Sequence, residues 1–171
     1  MFMIVISRTP TWVWLLLAAL VILGLTQTRT RQMTLVRATV LPLVMMGLSL
    51  FGALSTFGFK PLPLGVWLIA LAASALAAKA FGVWRGASWS AGTARFEVPG
   101  SWLPMLIILS IFVVKFYVGV NVAMQPELKS NTQFSLLVCL IYGVFSGLFL
   151  ARALNFWALL KRSPQMKLAT Q

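Results

Sequence analysis

The chain alternates between long apolar stretches and short polar segments that carry most of its charge. A helix needs about 20 mostly apolar residues to cross the hydrocarbon core of a membrane, where its backbone finds hydrogen-bond partners only within itself. Five stretches approach this length, and proline residues lie near most of their ends, where helices start or stop. We therefore predict five transmembrane helices, over residues 11–28, 39–57, 63–78, 101–124 and 133–160.

Residues 82–100, between the third and fourth predicted helices, are long enough to hold structure of their own. Two short alternating stretches, 87–90 and 94–98, flank Ala-Gly-Thr at 91–93, a pattern typical of a β-hairpin. An irregular loop is the alternative. The predicted fold class is an all-α polytopic membrane bundle, a single domain over 1–171, with a short hairpin-like cytoplasmic loop.

Composition supports this class and removes others. Hydrophobic residues make up 60% of the 171 residues and charged residues only 9%, against about 25% in an ordinary soluble domain. The chain has no His, one Cys (Cys139) and two acidic residues, Glu97 and Glu127, which the predicted topology places on opposite sides of the membrane. His-based metal sites, catalytic triads and paired-carboxylate chemistry are thereby excluded. We expect no metal and no cofactor.

The distribution of Lys and Arg predicts the orientation. Because successive helices alternate sides, the polar segments fall into two sets, and the more basic set is expected in the cytoplasm. The N-terminus is then outside and the C-terminus inside. The larger set comprises Arg29, Arg31, Arg37, Lys79, Arg85, Arg95, Arg152, Lys161, Arg162 and Lys167, and the smaller set comprises Arg8, Lys60 and Lys129.

The basic cytoplasmic face is expected to contact anionic lipid headgroups. The charges are dispersed over loops without a nucleic-acid-binding module, so we expect no nucleic acid as a partner. Six Trp residues near span ends are expected at the membrane–water interfaces: Trp12, Trp14 and Trp67 outside, and Trp84, Trp102 and Trp157 inside. The residues predicted to contact headgroups are Arg29, Arg31, Arg37, Arg152, Lys161 and Arg162.

Lys115 differs from the other cations because it interrupts the apolar stretch SIFVVKFYVGV near the middle of the fourth predicted helix. A Lys at mid-span costs about 3 kcal/mol to insert. Lys115 therefore faces a water-filled cavity, is held uncharged by desolvation, or binds an anionic ligand or headgroup. A structural Lys bonded to backbone carbonyls and a Tyr is the alternative. The candidate ligand-binding residues are Lys115 and polar groups near its predicted depth: Tyr142, Asn121, Tyr117 and Ser49.

Small residues four positions apart recur in three of the predicted helices. Such spacing lets helix backbones approach closely, either within the bundle or between subunits. A chain of this size has little room for a complete pathway of its own, so we expect a homo-oligomer, most simply a dimer. The predicted packing residues are Gly143, Gly147, Gly119, Ala123, Ala70, Ser74 and Ala78.

Two functions fit these features. The first is a small membrane protein that binds or passes a small anionic or polar solute, or a lipid headgroup, at Lys115. The second is a non-catalytic accessory or assembly subunit whose small-residue faces dock another membrane protein. An enzyme is the less favoured class, because no nucleophile–base pair is evident and Lys115 would have to act nearly alone.

Several segments carry a resemblance to a known family: TPTWVW at 9–14, QTRTRQ at 27–32, and PGSWLP with FVVKFYVG within 99–119. They resemble an uncharacterised family of small bacterial inner-membrane proteins, a domain of unknown function. The resemblance covers nearly the whole chain, including GVFSGLFLARAL at 143–154. It implies the bacterial cytoplasmic membrane and a five-helix layout, and it supplies no activity and no catalytic residue.

Overall fold

Helices dominate the computed structural model, which describes residues 11–28, 30–84, 86, 88–90, 95–98 and 100–162. Within these residues five α-helices accompany one three-stranded sheet. In chain order the elements are α1 (Thr11–Gln27), β1 (Arg31–Met33), α2 (Leu35–Phe57), α3 (Pro61–Ala80), β2 (Ser88–Ser90), β3 (Arg95–Val98), α4 (Leu103–Met124), a 3₁₀ helix (Pro126–Lys129) and α5 (Thr132–Arg162).

Four of the described helices, α2 to α5, are long and apolar enough to cross a membrane. Each begins and ends within four residues of its predicted span. The remaining helix, α1, has 17 residues and belongs to the shorter apolar helices. Residues 1–10, which precede it, lie outside the described residues. The mostly helical class is confirmed, and α1 as a fifth span stays a prediction.

Local sequence accounts for several helix ends. α2 ends before Gly58, whose φ of 72° favours glycine and whose amide donates to the carbonyl of Leu54 (2.9 Å). α3 begins at Pro61, where the missing N–H costs little. Asn131 precedes α5, and its side-chain oxygen accepts a hydrogen bond from the amide of Phe134 (3.1 Å). These residues stop one helix and start the next without help from distant contacts.

The predicted hairpin between α3 and α4 forms, although its turn, 91–94, lies outside the described residues. β2 runs antiparallel to β3, with Ser88 opposite Glu97 and Ser90 opposite Arg95. A third strand, β1, was not predicted, and it pairs antiparallel with the other edge of β3. Three residues carry too little alternation to indicate a strand, so β1 forms because β3 offers it a hydrogen-bonding edge.

Contacts between connections show which ends of the helices lie together. β1 precedes α2 and β3 follows α3, so their pairing brings the start of α2 and the end of α3 together. Lys60 and Lys129 precede α3 and α5, and Lys60 Nζ donates to the carbonyl of Lys129 (3.0 Å). The starts of α3 and α5 therefore also lie together. Which end is cytoplasmic stays a prediction.

The elements divide into two compact units. The first contains α1 and α4, and the second contains α2, α3, α5 and the sheet. This division does not test the predicted single domain over 1–171, which stays a prediction. The units comprise Met1–Thr30 with Gly100–Leu128, and Arg31–Pro99 with Lys129–Gln171.

In the first unit, α1 packs against α4 through a glycine. A Cβ placed on Gly24 would lie 2.8 Å from Cγ of Met105, closer than two non-bonded carbon atoms come. The two helices meet near the C-terminal end of α1 and the N-terminal end of α4. Absence of a side chain at Gly24 is what permits this approach.

In the second unit, the sheet covers the ends of two helices. Phe96 of β3 is fully buried, and its ring centroid lies 5.1 Å from that of Phe156 on α5. Ala38 of α2 completes this buried cluster. The alternate positions Gln32 and Glu97 pair across β1 and β3 and are exposed. One face of the sheet is therefore fixed to the helices and the other is polar.

Candidate functional site

Lys115 is the one charged residue of α4, with 12 residues of the helix before it and nine after it. At the helical rise this places it about 18 Å and about 14 Å from the two helix ends. Its side chain is exposed on the surface of the structure. An exposed cation therefore occupies the middle of a helix that is otherwise apolar enough to span a membrane.

Gly119 and Ala123 follow Lys115 at intervals of four residues, so the three lie along one face of α4. We call this the Lys115 face. Both small residues are exposed, and a Cβ placed on Gly119 would have no atom within 4 Å. The face is therefore open beside the lysine toward the C-terminal end of α4.

Tyr117 and Asn121, the two other candidate ligand-binding residues on α4, lie on other faces of the helix. Tyr117 is two residues after Lys115, which is about 200° of rotation around the helix axis. Asn121 is six residues after Lys115, which is one full turn plus about 240°. Tyr117 is 62% exposed, on the side opposite Lys115. Asn121 donates a hydrogen bond from Nδ2 to the carbonyl of Tyr117 (2.7 Å). Helix geometry keeps both side chains off the Lys115 face.

Ser49 and Tyr142, the remaining predicted ligand residues, lie in the second unit and contact each other. Ser49 Oγ donates to the carbonyl of Tyr142 (3.1 Å) and accepts a hydrogen bond from Nε1 of Trp67 (3.2 Å). All three residues are buried. These bonds join α2, α3 and α5, so the hydroxyl of Ser49 is engaged in holding helices together.

Trp67 corrects one expectation from the sequence. It was expected at a membrane–water interface, whereas its side chain is only 8% exposed and its N–H is bonded to Ser49. The sequence could have indicated this burial, because Trp67 shares a helical face with Ala70, Ser74 and Ala78. That face packs against α5, so a residue on it is an interior residue whatever its depth.

The predicted small residues of α3 and α5 lie in one helix–helix interface. A Cβ on Gly143 would collide with the carbonyl of Trp67 and lie 2.8 Å from Cβ of Ala70. A Cβ on Gly147 would collide with Ser74 and the carbonyl of Leu71. Ser74 Oγ also donates across the interface to the carbonyl of Val144 (3.1 Å), and Ala78 packs in a buried cluster with Ala75 and Ala151.

Arg152 is buried near the C-terminal end of α5, with 5% of its surface exposed. Its guanidinium carbon lies 5.0 Å from the ring centroid of Trp84 and 5.9 Å from that of Phe156. Trp84 is held in place by two further bonds: its Nε1 donates to the carbonyl of Leu148 (3.1 Å), and its carbonyl accepts from Nδ2 of Asn155 (2.7 Å). The arrangement is a cation between aromatic rings.

This placement corrects the prediction for Arg152, because a side chain enclosed by Trp84 and Phe156 is not placed to reach lipid headgroups. The sequence pattern indicated depth and could not show that α5 turns this residue toward the protein. The other predicted headgroup contacts are untested. Arg29 lies outside the described residues, as do the side chains of Arg31, Arg37, Lys161 and Arg162.

The two carboxylates of the chain lie away from the middle of the helices. Glu97 is an exposed residue of β3, and Glu127 is an exposed residue of the 3₁₀ helix that follows α4. Cys139 is buried within α5. Among the described residues no three Cys, Asp or Glu side chains come together in a way that could hold a metal ion.

Comparison with known proteins identifies a family. The model of DUF6622, a family of unknown function, matches residues 1–166. The resemblance to an uncharacterised family is thus confirmed, and the bacterial origin stays a prediction. No curated protein and no solved structure matches the chain.

Proposed function

The chain belongs to DUF6622, a family of unknown function, and from its own geometry we propose that it is a multi-pass membrane protein that binds an anionic or polar group inside the bilayer through Lys115. One observation carries this proposal: Lys115, an exposed residue, lies at the middle of an otherwise apolar helix. Charged residues inside a membrane are costly and mostly mark ligand sites, ion pathways or charge pairs.

The ligand group has the chemistry that an ammonium recognises, namely a carboxylate, a phosphate or a strongly polar oxygen. A small anionic or polar solute, or a lipid headgroup drawn toward Lys115, would supply it. We assign recognition to Lys115 alone. Tyr117 and Asn121 lie on other faces of α4, and Ser49 contacts Tyr142 in the second unit. The predicted part of these four residues in ligand binding stays a prediction.

The test compares the wild type with Lys115→Met and Lys115→Arg in nanodiscs of phosphatidylcholine. Thermal unfolding is measured with inorganic phosphate, acetate or succinate, and with phosphatidylglycerol in the disc. A ligand at about 100 times its Kd stabilises its protein by about 2.7 kcal/mol. We expect at least one of these probes to stabilise the wild type and Lys115→Arg and to lose its effect in Lys115→Met.

Lys79→Met is the matched control, because Lys79 is exposed in the last turn of α3 rather than at mid-span. It should respond to every probe as the wild type does. Identical responses of the wild type and Lys115→Met to all probes would refute the proposal. Flux of the stabilising solute into liposomes then separates binding from transport.

A second candidate function is an accessory subunit that docks another membrane protein. The observation that favours it is the open Lys115 face, where Gly119 leaves room for a neighbour. Gly143 is unsuitable for testing this function, because it is already packed against Trp67 and Ala70 of the same chain. Any docking test therefore belongs at Gly119.

We propose that the membrane is the bacterial inner membrane, with the N-terminus outside and the basic sheet end in the cytoplasm beside anionic lipid. Lys60→Cys and Glu97→Cys, each in a Cys139→Ala background, report the predicted outer end and the sheet end of the helices. A membrane-impermeant thiol reagent added to intact cells should label the Lys60→Cys variant and leave the Glu97→Cys variant unlabelled. The expected homo-oligomer is tested by the mass of the detergent-solubilised protein.

A further inference from the structure

The connection between α2 and α3 is short and has hydrogen bonds of its own. Gly58, Phe59 and Lys60 are the residues between the two helices, and Pro61 begins α3. The amide of Lys60 donates to the carbonyl of Gly58 (3.1 Å), and the amide of Leu64 donates to the carbonyl of Lys60 (3.2 Å). The backbone of this connection is therefore held in place on both sides of Phe59.

Phe59 lies outside the protein, whereas the residues on either side of it turn inward. Its side chain is 82% exposed. Phe57 is buried, and its ring centroid lies 6.0 Å from that of Phe134 on α5. Nζ of Lys60 donates to the carbonyl of Lys129 (3.0 Å), just before α5. Two contacts thus attach the connection to the start of α5 and leave the ring of Phe59 exposed.

An exposed apolar face of α3 begins beside this connection. Leu62, Ile69 and Leu76 are each more than 60% exposed. They recur every seven residues, which is close to two helical turns, so they lie along one face over about 21 Å. α3 is long and apolar enough to cross a membrane. An apolar face of this length on such a helix suits contact with lipid chains.

The position of the connection indicates its depth in a bilayer. It joins two helices that are each long and apolar enough to cross the membrane, so it lies where hydrocarbon meets headgroups. Lys60 and the exposed Lys129 bring two cations to this level. An aromatic ring beside lysines suits that boundary, because the ring packs against acyl chains while an ammonium group faces phosphates.

We propose that residues 58–62, the Phe59 tip, insert into the headgroup layer of a phospholipid bilayer. The ring of Phe59 lies at the boundary between headgroups and acyl chains, and the ammonium group of Lys129 faces lipid phosphates. Lys60 is a positioning residue that holds the tip against the start of α5. The tip anchors the end of α2 remote from the sheet, where the sequence predicted Trp67 at the interface and the fold buries it.

The experiment uses the full chain in liposomes of phosphatidylcholine and phosphatidylglycerol, with one nitroxide spin label at a time. Phe59→Cys and Leu62→Cys, each in a Cys139→Ala background, carry the label at the tip. Ile69→Cys is the reference for hydrocarbon. Gln133→Cys is the matched control, because Gln133 is an exposed polar residue in the first turn of α5, at the same end.

Oxygen concentrates in lipid, and a water-soluble nickel chelate stays outside it, so their relaxation effects give the depth of each label. We expect the ratio of oxygen to chelate accessibility at Phe59→Cys and Leu62→Cys to lie between the high value at Ile69→Cys and the low value at Gln133→Cys. Adding Lys60→Ala to Phe59→Cys should make the label more mobile and lower its ratio. Lys79→Ala, at the other end of α3, should leave both unchanged.

The phosphate contact is tested with a donor fluorophore at Phe59→Cys and an acceptor on the lipid headgroup. Energy transfer should show phosphatidylglycerol enriched over phosphatidylcholine at the tip, by up to about fivefold for one lysine. Lys129→Gln should remove this enrichment, since it keeps the backbone carbonyl that Lys60 bonds and loses only the ammonium group. Equal transfer to the two lipids, or no change in Lys129→Gln, would overturn the role of Lys129.

The labels at the tip separate the possible surroundings of Phe59. A label reached mainly by the chelate, as at Gln133→Cys, lies in water and overturns the proposed insertion. A label that neither reagent reaches is covered by protein, either a second copy or another part of this chain, and overturns it as well. Lys115 takes no part in these measurements, so their outcome leaves its proposed role to its own test.

Discussion

Two helices of this protein carry the same small-residue spacing, and they use it differently. Gly143 and Gly147 on α5 are covered by α3, whose backbone and Ser74 occupy the space that a Cβ would need. Gly119 and Ala123 on α4 are exposed, and the space beside Gly119 is open. The same pattern thus forms an internal interface in one helix and an open face in the other.

The difference lies in what each helix meets. α3 presents complementary small residues to α5 and adds a hydrogen bond from Ser74 to the carbonyl of Val144 (3.1 Å). On α4, Gly119 and Ala123 are exposed, and a Cβ placed on Gly119 would meet no atom within 4 Å. Spacing therefore shows that two helices can approach closely, and only the fold shows which helix, if any, does so.

Two of the cations within the helices, Arg152 and Lys115, show the same contrast. Arg152 on α5 is enclosed by the rings of Trp84 and Phe156, whereas Lys115 on α4 is exposed. A guanidinium stacks on aromatic faces more readily than an ammonium does. Arg152 therefore helps to hold the second unit together, whereas Lys115 lies on the surface of α4.

The largest expected effect is that of Gly147→Leu. Its side chain would collide with Ser74 and the carbonyl of Leu71, and backbone atoms cannot move aside cheaply. We expect the free energy of unfolding to fall by about 3 kcal/mol, as for overpacked interiors. Thermal unfolding in detergent measures this loss.

Gly119→Leu is the control for this prediction, because the same substitution in the other motif enters open space. Its free energy of unfolding should change by no more than about 0.5 kcal/mol, as for ordinary surface substitutions. Equal destabilisation by the two substitutions would mean that the two motifs do not differ as described.

A smaller effect is expected for Arg152→Met. The substitution keeps much of the side-chain volume and removes the cation from between Trp84 and Phe156. Desolvated cation–π contacts contribute about 2 kcal/mol, so unfolding should become easier by about that amount. Arg152→Lys should lie between the wild type and Arg152→Met, since the ammonium lacks the planar face.

Lys79→Met tests whether loss of any cation has the same effect, and its unfolding temperature should match the wild type. If Arg152→Met unfolds at the wild-type temperature, Arg152 does not stabilise the second unit. Arg152 and Lys115 would then differ in exposure and not in their contribution to stability.

The smallest effect is expected for Ser49→Ala. Removal of Oγ leaves Nε1 of Trp67 without this acceptor and the carbonyl of Tyr142 without this donor. A net loss of about 1 kcal/mol is expected. Ser55→Ala, which removes only a bond to the carbonyl of Gly52 in the same helix, should be near neutral. If Ser55→Ala lowered the unfolding temperature more than Ser49→Ala, the assigned role of Ser49 in holding α2, α3 and α5 together would be contradicted.

Helix positions were predictable because hydrocarbon imposes one requirement on every span, that the backbone bond to itself over about 20 apolar residues. The hairpin at β2 and β3 was predictable from its alternation and its Gly-containing turn. β1 was not predictable, because a strand of three residues depends on the edge of β3, which is distant in sequence. The inward placements of Trp67 and Arg152 depend likewise on helix rotation.

For the candidate site, composition and position alone identified Lys115 as a cation at mid-span and excluded any acid beside it on its own helix. Depth matching also grouped Tyr142 and Ser49 with Lys115, whereas the fold engages Ser49 in a contact between α2, α3 and α5. Equal depth along the helices does not show which neighbour a side chain contacts.

The amino-acid sequence thus determined the long apolar helices, their approximate bounds and the position of Lys115 in the middle of one of them, since these follow from the pattern of hydropathy along the chain. The tertiary structure decided which small residues are covered, which cation is enclosed by aromatic rings, and where the third strand pairs. These features depend on contacts between residues far apart in the chain. A local sequence pattern does not show how each helix is rotated or which helix it packs against.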